Sequence, residues 1–141
     1  MSVYLDASVV VSLFVDDMHT GRADRLIDEV GENAILSPLC MLEFLTTVMR
    51  GKRDGRISSR QAKEALEDCD FWRHRATRAH NRGPADFELA ENLVRDEAAK
   101  LAAADALHLA CAINAKSALA TFDVRLAEAA RGRGVEVFGL D

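Results

Sequence analysis

The sequence predicts an α/β fold: a central parallel sheet of about four to five short strands covered by helices. Three observations lead there. Short apolar runs such as VYL and AIL recur between longer stretches with helical spacing. Those runs are apolar throughout, as strands covered on both faces are. Turn and cap signals (Ser-Pro, Asp-Gly, Gly-Pro) separate the segments.

Val3–Asp6, β-branched and aromatic, reads as the first buried strand. Ser8 is placed to cap a helix over residues 9–14. Residues 19–30 carry Ala23, Leu26, Ile27 and Val30 at helical spacing, with Gly31 as a stop. Ala34–Leu36 is a second strand. Ser37 as N-cap and Pro38 at the first helical position then open a helix running to Lys52. Asp54-Gly55 is a turn, and Ser58 or Ser59 restarts a helix whose apolar side holds Ala62, Ala65, Leu66 and Cys69. That helix ends somewhere in 71–78, and a short strand is expected before Gly83-Pro84. Pro84 starts a helix to about Glu97. Residues 101–115 form a nearly all-apolar helix, buried on most sides. Ala118–Thr121 is a strand, Val124–Ala130 a helix broken by Gly132 and Gly134, and Val135–Phe138 the last strand. A single domain over 1–141 accommodates all of this.

With 49% hydrophobic and 29% charged residues, the composition is that of a soluble globular protein. No apolar run is long enough to span a bilayer, and no basic n-region or cleavage site precedes the first strand, so a cytoplasmic location is expected. Cys40, Cys69 and Cys111 are widely spaced, odd in number and without a C-x-x-C pair, which suggests neither a disulfide framework nor a zinc site. A net charge of −5 gives no global attraction to nucleic acid. Locally, residues 50–63 hold six cations and one anion, and residues 73–82 hold four arginines, two histidines and no acid. Each run alone fits a solvated face; two on an acidic chain are also suited to phosphate contact.

Four acids stand in apolar surroundings: Asp6 after Val-Tyr-Leu, Glu43 inside PLCMLEFLTTVM, Asp105 inside LAAADALHLACA, and Asp123 at a strand end. In parallel sheets functional groups gather at the carboxyl ends of strands. Carboxylates brought together there raise one another's pKa unless a cation neutralises them. Their own segments supply few cations, so a hard divalent ion, Mg²⁺ or Mn²⁺, is the fitting counter-ion. Such an ion acidifies water and polarises a phosphoryl oxygen. Ser8 and Thr121, each two residues from an acid, could orient a carboxylate. Asp6 and Asp123 each also fit as helix caps. Glu43, inside a helix, could instead pair with Arg50. His108 shares a helix face with Asp105; a core histidine hydrogen-bonded to backbone or carboxylate is preferred to a metal ligand. Trp72, beside Phe71, fits a core anchor or a dimer contact better than a base-stacking platform.

VYLDAS, SPLCMLE, AADALHLA and ATFDVRLAEAA, in this order and at these spacings, resemble the PIN-domain family, and most nearly its VapC-like toxins. The resemblance spans almost the whole chain, with DALHLA and TFD its most specific parts and residues 71–82 matching least. It implies a PIN-like three-layer fold and a Mg²⁺- or Mn²⁺-dependent endoribonuclease with Asp6, Glu43, Asp105 and Asp123 as its acidic site. It also implies a homodimer, and inhibition by a cognate antitoxin protein. Arg50, Lys52, Arg53 and Arg56 are the candidates for RNA phosphates. Two other enzyme classes fit less well. A haloacid-dehalogenase-like phosphatase needs Asp-x-Asp, where this chain has Ser8, and a receiver domain needs a late Lys that Lys116 does not convincingly supply. A non-catalytic PIN-like module binding RNA or protein is the remaining alternative.

Overall fold

The computed structural model describes residues 1–81 and 83–140. Five strands are present among them: β1 (Val3–Leu5), β2 (Ala34–Leu36), β3 (Thr77–Ala79), β4 (Ala118–Ala120) and β5 (Val137–Phe138). They form one parallel sheet in the order β3-β2-β1-β4-β5, with Leu5 opposite Ala120. Seven α-helices surround it: α1 (Ala7–Phe14), α2 (Thr20–Val30), α3 (Pro38–Arg53), α4 (Ser59–Ala76), α5 (Pro84–Arg95), α6 (Ala103–Asn114) and α7 (Val124–Gly132).

Alternation along the strands divides the core. Val3, Leu5, Ala118 and Ala120 point to one face and pack with Val9, Val10, Leu26, Phe44, Val48 and Ala65 from α1 to α4. Tyr4 and Leu119 point to the other, against Leu93, Leu109 and Leu126 from α5, α6 and α7. The three-layer α/β architecture expected from the sequence is therefore present. β1 and β4 are neighbours, yet the chain leaves β1 toward β2 and leaves β4 toward β5. That reversal opens a crevice at the carboxyl ends of the two central strands. All three cysteines are buried, and none forms a disulfide among the described residues. Among the described residues, no helix is long and apolar enough to cross a membrane.

Several boundaries shift for local reasons. Asp6, not Ser8, caps α1: its carboxylate accepts from Ser8 N and Val9 N, and Ser8 lies inside the helix. The N-cap of α4 is Ser58, in a capping box with Gln61. Helix α6 begins at Ala103 rather than at residue 101, preceded by Lys100 with φ at 52°, a reversal that carries no sequence signature. Helix α7 continues through Gly132, so the break falls at Gly134, whose φ is 75°. Trp72 packs in the core against Phe14 at 5.4 Å between ring centroids, whereas Phe71 is exposed with Arg75 over its ring.

Candidate active site

Asp6 follows β1 directly, and its backbone N–H donates to Ala120 O at 3.1 Å, extending the ladder beyond the strand end. Asp6 is only 5% exposed, and both oxygens of its carboxylate accept hydrogen bonds, Oδ2 from a single donor. Oδ1 accepts from Ser8 N at 3.0 Å and Ser8 Oγ at 2.5 Å; Oδ2 accepts from Thr121 Oγ1 at 2.5 Å. Burial raises the Asp6 pKa, while the Ser8 and Thr121 hydroxyls oppose that rise. Both hydroxyls are themselves fixed: Ser8 Oγ accepts from Phe122 N at 3.1 Å and Thr121 Oγ1 from Asp123 N at 3.0 Å. Two loops at the ends of adjacent strands are thus stitched around one carboxylate. Asp123 caps α7, accepting from Leu126 N, and is exposed. For Asp6 and Asp123, capping and presence at the crevice coexist.

Asp105 lies in the first turn of α6, where the helix dipole favours an acid. Its pKa is raised, first by burial and then by the negative charge of Asp123, with smaller contributions from Asp6 and Glu43; His108 opposes them. Asp105 thus senses the other three predicted acids across the crevice. Among the described residues, no Lys or Arg forms an ion pair with any of the four. Glu43 pairs with His108 and not with Arg50. His108 is 1% exposed and uses both ring nitrogens, Nε2 toward Glu43 and Nδ1 toward Tyr4, so it is the carboxylate-bound core histidine rather than a ligand.

The four carboxylates share a space without converging on a point. Among the described residues, the one set of three potential ligands with atoms mutually within 4.8 Å lies elsewhere, at His80, Asp86 and Cys111. An all-oxygen, unneutralised and loosely spaced set fits a hard, partly hydrated divalent ion. The His80–Asp86 group is different in kind. Asp86 accepts from Asn114 Nδ2 at 2.7 Å, pairs with His80 Nε2 at 3.0 Å and accepts from Gly83 N at 3.2 Å. Burial would raise its pKa, but these hydrogen bonds outweigh it and hold the carboxyl below its ordinary value. The cluster ties the end of β3 to α5 and α6. Sequence reading passes over Asp86, which follows a Pro-Ala start like any helix-opening acid.

Arg50, Lys52 and Arg53 occupy the last turn of α3, about 10–15 Å along its axis from Glu43 at 1.5 Å per residue. Arg56 bonds Asp54 at 3.3 Å. The second basic run forms the end of α4 and β3. Arg73, His74 and Arg78 line a cavity of about 360 Å³ with Ser37 and Met41. Arg82 of that run lies outside the described residues.

The fold and its crevice define the class: a parallel α/β protein with an acidic cluster at the carboxyl edge of its switch point. The chain belongs to the PIN domain family, whose model matches residues 3–132. Among solved structures it is similar to VapC20 of Mycobacterium tuberculosis, described as a sarcin-ricin loop cleaving toxin (TM-score 0.72, 23% identity, 91% of this chain and 95% of that one). It is also similar to FitAcB of Neisseria gonorrhoeae (0.71, 18%, 96% of each chain). A third similar structure is VapBC2 of Rickettsia felis bound to a DNA fragment from its promoter (0.71, 15%, 97% of each). Comparison with curated proteins gave no match.

Proposed function

We propose that this protein is a Mg²⁺- or Mn²⁺-dependent endoribonuclease that hydrolyses RNA phosphodiesters as the toxin of a toxin–antitoxin pair in the cytoplasm. The observation that carries the reading is the set of four carboxylates from four separate segments, three of which add their charge to the rise in the Asp105 pKa, with no Lys or Arg ion-paired to any of the four among the described residues. PIN-family membership and likeness to a toxin that cleaves the sarcin-ricin loop support the same reading.

Asp6, Glu43, Asp105 and Asp123 would hold the ion. When bound, it supplies the Lewis acidity that acidifies water and offsets charge developing on the phosphate. The chain's own residues do the rest. Ser8 and Thr121 keep Asp6 in one rotamer, so its orientation is set before ligand arrives. Asp123, which is exposed, would orient an attacking water or help hold a second ion. Arg50, Lys52, Arg53 and Arg56 hold flanking phosphates. A second copy of the chain, expected from the family resemblance, would find exposed apolar side chains at Leu42, Leu45 and Met49 on α3 and at Phe87 and Val94 on α5, all at least 41% exposed. A cavity of about 540 Å³ is lined by Leu39, Phe87, Val94 and Leu107. An antitoxin is the expected inhibitor, by resemblance to VapC-like toxins.

Incubation with structured RNA tests the proposal. Cleavage should require Mg²⁺ or Mn²⁺, stop in EDTA, and fall more than about 100-fold in Asp6→Asn, since loss of an outer-shell partner alone costs about 10–100-fold. Undiminished cleavage in chelator or in that variant would overturn it.

A further inference from the structure

Behind Glu43 runs a buried polar chain through three elements. Ser37 Oγ, at the N-cap of α3, lies 2.6 Å from the Tyr4 hydroxyl on β1. That hydroxyl lies 2.7 Å from His108 Nδ1 on α6, and His108 Nε2 meets Glu43 Oε1. Ser37, Tyr4 and His108 are each at most 1% exposed, so their polar atoms must satisfy one another.

Counting protons fixes the direction. Ser37 Oγ already accepts from Cys40 N at 3.1 Å, and its single proton has the Tyr4 oxygen as its one acceptor among the described residues. Tyr4 then has one proton left to give, and it goes to His108 Nδ1. An imidazole that accepts at Nδ1 carries its own proton on Nε2, facing Glu43. The reverse order would strand the Ser37 proton. In a neutral ring it would also turn the Nε2 lone pair toward a carboxylate.

We propose that Ser37 and Tyr4 fix His108 as its Nε2–H tautomer, and that this N–H holds Glu43 in the one orientation from which it reaches the cation. His108 is thus a positioning residue acting through Glu43, and Tyr4 acts through His108. The helix geometry suits this role, because His108 lies one turn beyond Asp105 and a single face of α6 presents one acid while securing another. This inference rests on Glu43 being a ligand, as proposed above.

Two measurements test it. In metal-free protein at pH 7.5, nitrogen-15 NMR of the imidazoles should show His108 protonated at Nε2 and unprotonated at Nδ1. A proton on Nδ1, alone or with Nε2, overturns the proposal. Calorimetry with Mn²⁺ alone should show binding weakened about 10–100-fold in His108→Leu, as for other outer-shell partners of ligands. His108→Gln, which retains an N–H near the Nε2 position, should recover most of that loss. Tyr4→Phe leaves the ring in place and should weaken Mn²⁺ about 10-fold; it carries the test if circular dichroism shows the leucine variant unfolded. Unchanged affinity in Tyr4→Phe, alongside lost binding in Asp6→Asn, overturns this inference and spares the site. Unchanged affinity in Asp6→Asn overturns both.

Discussion

Replacing Asp105 with Asn separates function from stability with opposite signs. The Asp105 carboxylate accepts no hydrogen bond among the described residues, and three other carboxylates add to the burial that raises its pKa. Asn has the same shape without the charge. Repulsion between partly exposed like charges is on the order of 1 kcal/mol after solvent screening. In EDTA at pH 7, Asp105→Asn should therefore be more stable than wild type by about 1 kcal/mol, roughly 4 °C in Tm for a chain of this length. Because the folded-state pKa lies above the ordinary 3.8, the folded form binds the proton more tightly than the unfolded form. The wild-type penalty is thus absent below 3.8 and grows as pH rises through the window above it, and the gain in the variant follows the same course. Saturating Mn²⁺ reverses the order. At about one hundred times Kd the wild type gains about 2.7 kcal/mol, on the order of 10 °C, and the variant, lacking a ligand, gains little. Thermal unfolding followed by circular dichroism, with and without Mn²⁺, reads both effects. A variant less stable in EDTA, or one with an undiminished Mn²⁺ shift, would refute the reasoning.

Other expectations follow from the same contacts. Thr121→Val removes the donor to Asp6 and the acceptor for Asp123 N; it should cost about 1.5–3 kcal/mol in urea denaturation and weaken Mn²⁺ binding. Asp86→Ala should cost about 1–3 kcal/mol, since it removes a buried carboxylate that bonds half-buried His80, exposed Asn114 and the Gly83 N–H. The Asp86 carboxyl titrates below its ordinary value when folded, so its stabilisation is present above pH 3.8 and is lost as pH falls through the lower folded value; the wild-type-minus-variant difference should shrink accordingly. Gly139→Ala combines a φ of 105° with a Cβ placed 2.7 Å from Thr121 O, and should lower Tm by several degrees; an unchanged Tm would mean that the backbone at the β4 end gives way easily.

Helix and strand order is legible in the sequence because its signals are local. Ser37-Pro38, Asp54-Gly55 and the apolar triplets announce themselves within a few residues, whereas the start of α6 depends on a backbone reversal at Lys100 that no side chain signals. The four acids are legible for a related reason: a carboxylate among apolar neighbours must be explained by something at a distance, and sequence shows the anomaly. What answers each one is tertiary. Glu43 could have met Arg50 on its own helix, and found His108 instead, because α3, packed on one face of the sheet, and α6, packed on the other, come into contact with each other. Tyr4 looks in the sequence like one more core residue of a strand. Its hydroxyl matters only because Ser37 and His108 arrive from 33 and 104 residues away.

The sequence by itself determined the alternation of elements, the burial of both sheet faces and the identity of four out-of-place acids, since these follow from residue type and short-range spacing. Only the tertiary structure decided that β1 and β4 are neighbours, that Thr121 reaches Asp6, and that a serine, a tyrosine and a histidine stand behind Glu43. The physical reason is that hydrogen bonds and charge repulsion act over a few ångströms of space, and residues far apart along the chain come that close only once the sheet has assembled.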